Sequence, residues 1–332
     1  MLNRILLVFF VLLSALLLVS SANAFILAEL GLNLWLERMI PTLLPFMILS
    51  SVMTGLDLQK ALCYPFQKVL RHLFSLSENE IYCIIIGFLC GFPMGAFCSA
   101  ELCCSGKITK SSAQTLVAFC NNIGPIYFFN FALGMIGFHT LTPGMYFCLF
   151  LGMYGIPLLY GGFSTYHLHC KKHKQTPSAV SPGCPKKQSH EPVTLLEAVD
   201  HAISRSGTSA LRLCGYMVLF NVLMLPFYQF GKNQNLIRVL HCFMEISGGL
   251  QMMQKCLPAK ICFRLGHSLI PVFQTVMLTA LSFGGLSCIG QTSVFLQEAG
   301  LSVSSYVKSR IYIAILAFFY YVFCFSFGFL SL

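Results

Sequence analysis

The residues of this chain that could do chemistry are few, and they sit where polarity is costly. Asn121-Asn122-Ile123-Gly124-Pro125 places two side-chain amides just before a Gly-Pro break in an apolar run. An amide both donates and accepts hydrogen bonds, so the pair suits a carboxylate or a ring nitrogen; polar adhesion between helices is the structural alternative. Glu245 stands in the otherwise uncharged stretch 239–253, followed by Ser247, Gly248 and Gly249. An acid inside a membrane is expensive and by default marks function, here coupling to a proton or cation, or gating. A protonated carboxyl bonded to a neighbouring helix is the competing account.

Two glycine-rich interruptions accompany these groups. Gly91, Pro93 and Gly95, with Gly87 just upstream, break the apolar stretch 81–104. Gly284-Gly285-Leu286-Ser287-Cys288-Ile289-Gly290-Gln291-Thr292 interrupts the stretch 265–297 and offers Ser287, Gln291 and Thr292 as substrate contacts. Irregular backbone at membrane depth survives only where protein or a water-filled cavity satisfies it. Paired interruptions in corresponding halves of a chain point to a transporter's binding site, whereas plain spans with packing glycines are the simpler reading. Arg212 could attract an anion or snorkel to the interface, and His241 and His267 sit near expected segment ends.

The elements that position these residues follow from charge. The 332 residues are 56% hydrophobic and 10% charged, with a mean hydropathy of +0.75. Soluble domains carry about 25% charged residues, which excludes a soluble enzyme, a disordered protein and a nucleic-acid-binding module. No Asp, Glu, Lys or Arg occurs in 5–28, 39–56, 81–100, 111–170, 213–231, 265–297 or 311–332. A span needs about 20 apolar residues, so the expected fold is an all-α polytopic membrane protein. It has about seven to eight transmembrane helices plus two re-entrant or broken hairpins in two pseudo-repeated halves.

The net charge of +10 is carried by basic clusters at Lys60/Lys68/Arg71, Lys107/Lys110, Lys171/Lys172/Lys174/Lys186/Lys187, Lys255/Lys260/Arg264 and Lys308/Arg310. All are expected in cytoplasmic loops. The first segment, 1–24, resembles a signal peptide ending in Ala22-Asn23-Ala24, and is expected to stay as a first transmembrane helix. Residues 166–193 read as a basic cytoplasmic linker between halves at 25–165 and 194–332. His167, His169, Cys170 and His173 have metal-compatible spacing there, but a flexible Lys-rich loop fixes no ligand geometry, so no metal is expected. Thr194–Arg205 reads as an amphipathic interfacial helix. The sixteen cysteines act as small hydrophobes rather than a disulfide framework. No H-E-x-x-H, G-x-S-x-G or Walker A sequence is present, so neither an enzyme nor a cofactor is expected.

Several ordered motifs resemble those of the sporulation integral membrane protein YlbJ family, which groups with nucleoside-recognition Gate-domain membrane proteins. They are Pro41-Thr42-Leu43-Leu44-Pro45-Phe46 after Leu34-Trp35, Gly91-Phe92-Pro93-Met94-Gly95-Ala96, Phe119-Cys120-Asn121-Asn122-Ile123-Gly124-Pro125, Glu245-Ile246-Ser247-Gly248-Gly249, and Phe283-Gly284-Gly285-Leu286-Ser287 with Gln291. Cys288-Ile289-Gly290 and the cysteine-rich 98–104 depart from the family pattern. The resemblance implies a bacterial cell-membrane protein with two Gate-like halves that moves dipicolinate, a small aromatic dicarboxylate, across the outer forespore membrane during endospore formation. The implied partners are that anion, the lipid bilayer and a coupling proton or cation, with no nucleic acid. A homo-oligomer, a non-transporting sporulation scaffold and a nucleoside carrier remain open.

Overall fold

The computed structural model describes residues 2–58, 63–65, 76–172, 194–254 and 270–330, without the side chains of 2, 166–172, 235 and 254. The described residues form helices joined by short turns. Six segments are long and apolar enough to cross a membrane: Ser21–Gly55, Lys110–Met135, Pro143–Thr165, Leu195–Phe230, Ile270–Glu298 and Val303–Ser326. Leu2–Val19, here α1, is a further apolar helix that leaves Ile5 to Leu12 exposed to the surrounding medium. This is a polytopic helical membrane protein, with lipid as the solvent for its apolar exterior.

The boundary expected at Ala24 falls instead at Ser20. From Ser21 to Gly55 the chain runs as one helix, α2, through a π-helical turn at Trp35–Met39. Ala22, Asn23 and Ala24 contain neither Gly nor Pro, so nothing interrupts the ladder there. Helix α2 packs along Leu195–Val222 (α8). Gly31 permits backbone approach, since a Cβ there would lie 2.9 Å from Val218 Cα. Trp35 Nε1 donates to Ala210 O at 2.9 Å. The expected interfacial helix Thr194–Arg205 is the first part of α8. Thr194 and Glu197 form a capping box at its start, no proline follows Arg205 within it, and the helix runs on through Gly207 into the apolar stretch.

The first interruption folds as a hairpin. Its arms, Glu78–Cys90 (α3) and Met94–Cys104 (α4), pack on one another. At 13 and 11 residues they reach about 20 and 17 Å, short of the ~30 Å hydrocarbon core. The next helix, Lys110–Cys120 (α5), stops at Asn121, and helical structure resumes over 125–135 (α6). Pro143–Phe150, Leu151–Gly155 and Ile156–Lys172 form one helix, α7, which carries the chain into the expected linker. The rest of that linker, its His and Lys residues and the basic clusters around Lys68 and Lys260 lie outside the described residues or side chains, as does His267.

After α8, the chain forms Leu225–Phe230 (α9), Gln234–Met244 (α10) and Ile246–Gln254 (α11). The second interruption is a broken helix rather than a closed hairpin. Ile270–Phe283 (α12) packs on Val303–Ser326 (α14), whereas Gly285–Glu298 (α13) packs on α4 and α8. Gly284 and Gly285 have φ of +96° and +73°, which Gly adopts with little steric penalty. At one end of the fold Gln114 and Ser302 exchange hydrogen bonds, so the start of α5 and the turn 299–302 lie side by side.

Candidate functional site

The interruptions meet. Gly91, at the hairpin tip, lies against the α5–α6 break so closely that a Cβ would fall 2.3 Å from Gly124 N. A Cβ on Gly95 would sit 2.8 Å from Cys120 O, and one on Gly284 would sit 2.6 Å from the Phe92 ring. Gly285 faces Ile246 and the carbonyls of Cys242 and Phe243, which adds the Glu245 break to the same region. Four departures from helical structure therefore share one place in the bundle, and the glycines are what let the backbones touch.

Arg310 joins them. It occupies α14 eight residues into the helix and is 1% exposed. Its Nε donates to Phe283 O at 3.2 Å, and Nη1 donates to Asn121 O at 3.2 Å and Asn122 Oδ1 at 2.8 Å. Nη2 donates to Ser282 O. Its guanidinium carbon lies 5.0 Å from the centroid of the Phe92 ring. Three of these acceptors are main-chain carbonyls at the C-terminal ends of α5 and α12. Each such end carries about −0.5 of an elementary charge, so the two together match one guanidinium. The charge is thus held by dipoles and carbonyls, with no acidic side chain in contact among the described residues.

Grouping Arg310 with Lys308 as a cytoplasmic loop charge is therefore wrong. Lys308 is exposed, and Arg310, two positions on, points to the opposite side of α14. The available signal was spacing: Tyr306, Ser309, Arg310 and Ile313 follow the helical repeat and form a buried stripe containing polar groups.

The two asparagines occupy the centre of this arrangement, both buried. Asn121 Nδ2 donates to Thr292 Oγ1 at 2.9 Å and to Tyr306 OH at 3.0 Å, and its Oδ1 accepts from Ala96 N at 3.4 Å. It therefore ties α4, α13 and α14 to the end of α5. Asn122 donates to Phe119 O while accepting from Arg310. Gln291 donates to Ser287 Oγ at 3.1 Å within α13. Gly91, Pro93, Gly95, Ser287, Gln291 and Thr292 are buried, whereas Phe92, Gly124, Pro125 and Phe283 keep partial exposure.

Three helices begin around the hairpin tip: α4 after Pro93, α6 after Gly124 and α13 after Gly284. None has a side-chain cap. Beside them an apolar groove of about 420 Å³ is lined by Phe243, Thr279, Phe283, Ile311, Ala314, Ile315, Phe318 and Phe319. It reaches Phe283, whose carbonyl binds Arg310.

Glu245 is 2% exposed and sits in extended backbone between α10 and α11. Its carboxylate accepts from Ser247 N at 3.1 Å, Gly248 N at 2.5 Å and Asn221 Nδ2 at 3.3 Å. It caps the start of α11, where a negative charge meets the positive end of a helix. His241, expected near an interface, is instead fully buried beside it, because Asn221 Oδ1 reaches its Nε2 at 2.9 Å.

Two further acids and arginines pair away from this centre. Arg212 contacts Glu298 at 2.5 Å on a partly exposed surface. Arg205 contacts the buried Glu101 at 3.2 Å, and Ser51 donates to the same carboxylate oxygen.

In sequence the chain is 26% identical over 221 residues, 64% of its length, to Sporulation integral membrane protein YlbJ of Bacillus subtilis (strain 168). The match spans 54% of that relative, about half its length. No family model matches the chain. No solved structure matches it either. The relative bears out the YlbJ resemblance carried by the motifs.

Proposed function

We propose that this relative of YlbJ is a secondary-type carrier, not an enzyme, that moves a small aromatic dicarboxylate, dipicolinate, across the outer forespore membrane during endospore formation. The observation that carries the reading is Arg310. A buried guanidinium balanced by two helix ends, rather than by an acid, can transfer its attention to an anion without leaving a carboxylate unpaired. The contact most easily exchanged is Asn122 Oδ1, a neutral side-chain acceptor. A substrate carboxylate in its place would form a charge-assisted bond, about twice as strong as a neutral one.

The surroundings fit an anion with a flat ring. The uncapped starts of α4, α6 and α13 supply positive dipole ends at the hairpin tip. Phe92 offers an aromatic face beside the guanidinium. Gly91, Pro93, Gly95, Gly124 and Pro125 shape the backbone there, and Ser287, Gln291 and Thr292 line the adjoining helix. Glu245 would not touch the anion while ionised; coupling or gating is its part.

Uptake of labelled dipicolinate into liposomes containing the purified chain tests this. Folded protein should give flux above empty vesicles, and Arg310→Gln should abolish it. Folded wild-type protein with no flux would overturn the proposal.

A further inference from the structure

We infer that His241 and Glu245, bridged by Asn221, form a pair that binds one proton and supplies the coupling ion of the carrier. The inference rests on the transport reading above and deepens it by naming the ion and the residues.

The hydrogen bonds fix the donors. Asn221 Nδ2 donates to Met217 O at 2.7 Å and to Glu245 Oε2, so both amide hydrogens are used and Oδ1 faces His241. Oδ1 accepts only, which places a hydrogen on His241 Nε2. In the neutral ring, Nδ1 then accepts from Tyr228 OH at 3.0 Å. A proton added to Nδ1 breaks no other contact, because the tyrosine hydroxyl rotates and accepts in turn. Glu245 meanwhile accepts from Ser247 N on one oxygen and from Gly248 N and Asn221 Nδ2 on the other, an arrangement that suits an ionised carboxylate. In this form the pair carries one negative charge, and one proton brings it to zero. Since the two groups communicate through a single amide, that proton belongs to the pair.

Position supplies a route. Tyr228 is half-buried beside the exposed turn at Lys232 and Asn233, whereas His241, Asn221 and Glu245 are buried. The hydrogen-bonded series Tyr228, His241, Asn221, Glu245 runs from an exposed edge to the break where α10 and α11 meet Gly285; the proton is exchanged at His241, and the Asn221 amide links the two charges without carrying it. Gly285, which opens α13, packs on the carbonyls of Cys242 and Phe243, so the pair adjoins the break whose Phe283 carbonyl holds Arg310; Cys288, on the same helix, also faces Glu245. The other titratable groups that face Glu245 are Tyr127 and Cys242. Tyr127 donates to Ser247 Oγ at 2.9 Å, one contact from the carboxylate. Tyr228 faces His241, and Arg238 lies one turn earlier on the same helix with interactions of its own. On the α12 side the neighbour of α10 is Phe283, against Phe243.

The test uses liposomes of the full chain loaded with a pH-sensitive dye. Adding dipicolinate outside should acidify the lumen in the wild type and in Thr194→Ala, which alters only the cap at the start of α8, away from the pair. His241→Gln and Glu245→Gln keep the size and polarity of the site and should lose proton movement. Dipicolinate flux in the wild type without acidification, or acidification unchanged in His241→Gln, would overturn the inference. If the wild type moves neither solute nor proton, the transport reading fails. The pair is then judged alone by infrared difference spectra between about pH 8 and pH 3, a range that covers the His241 imidazole, which burial pushes down to about 4. Carboxyl or imidazole bands lost in the double variant His241→Gln, Glu245→Gln support it; a wild-type spectrum equal to the double variant's refutes it.

Discussion

Replacing Arg310 with Met tests whether one guanidinium holds the interruptions together. The substitution keeps a long unbranched side chain but removes every donor. Four acceptors are then left without it: Asn121 O, Asn122 Oδ1, Ser282 O and Phe283 O. A buried acceptor stripped of its donor costs about 1–3 kcal/mol, so the ceiling is roughly 4–12 kcal/mol. The loss of a cation from two helix ends adds a few tenths to about 2 kcal/mol at each. Relief of the buried charge's desolvation works the other way by several kcal/mol. The balance is a destabilisation of about 3–6 kcal/mol. Arg310→Lys keeps the charge but has only three donors in place of the planar fork, so about 1–3 kcal/mol is expected.

Thiol labelling on heating reads this with local detail, because Cys120 and Cys324 are both buried and free. Cys120 ends α5 beside the break, whereas Cys324 lies near the far end of α14. In Arg310→Met, Cys120 should react well below the temperature at which Cys324 does. In the wild type the two should react together. Equal labelling of Cys120 in wild type and Arg310→Met, at the same temperature, would show that the guanidinium does not hold the break.

Five further substitutions follow from the same geometry. Gly95→Ala brings a Cβ to 2.8 Å from Cys120 O and 2.9 Å from Asn121 Cα, so the hairpin cannot seat; size-exclusion profiles should show little folded protein. Gly106→Ala is its control: φ is +73° with nothing within 4 Å, so it should cost only the ~1–2 kcal/mol of a left-handed residue and still fold. Thr194→Ala removes the cap of α8 and should cost about 1 kcal/mol, with faster hydrogen exchange confined to the first turn. Arg212→Gln breaks a partly exposed ion pair and should change thermal stability by no more than about 1 kcal/mol, whereas Arg205→Gln strips the buried Glu101 of its cation and should cost more.

The membrane class and the interruptions were legible because charge-free runs and glycine clusters act locally. Gly91, Gly95 and Gly284 announce backbone that cannot carry a side chain, and the structure shows which backbone they meet. The partners across the fold were not legible. Asn121 reads the same whether its amide awaits a substrate or bonds Thr292 and Tyr306, because those residues lie more than 170 positions away. Arg310 was misplaced since a cation two residues from Lys308 looks like part of a loop cluster, and only the direction of each side chain on α14 separates them. Thr194–Arg205 misled for the opposite reason: its amphipathic spacing is genuine, but continuity with the apolar residues beyond Arg205 decides what the helix does.

If the chain is the carrier proposed above, the placement of its buried charges constrains how it can move. Arg310 bonds the end of α5 through Asn121 and Asn122 and the end of α12 through Ser282 and Phe283, so it spans two breaks from a third helix. Any rearrangement that draws one break away from the other must give up one of these pairs of bonds. With water excluded, that loss is uncompensated and the two arrangements are separated by a barrier. A carboxylate arriving at the guanidinium replaces the lost acceptors, so occupancy lowers the barrier for the proposed cargo and leaves it high when the site is empty. Glu245 is placed with reversed sign, since it caps the start of α11 by accepting from two backbone donors, a hold that protonation would weaken. Charge at each break is therefore tied to backbone geometry, and a cargo or a proton that alters the charge alters which geometry is favoured.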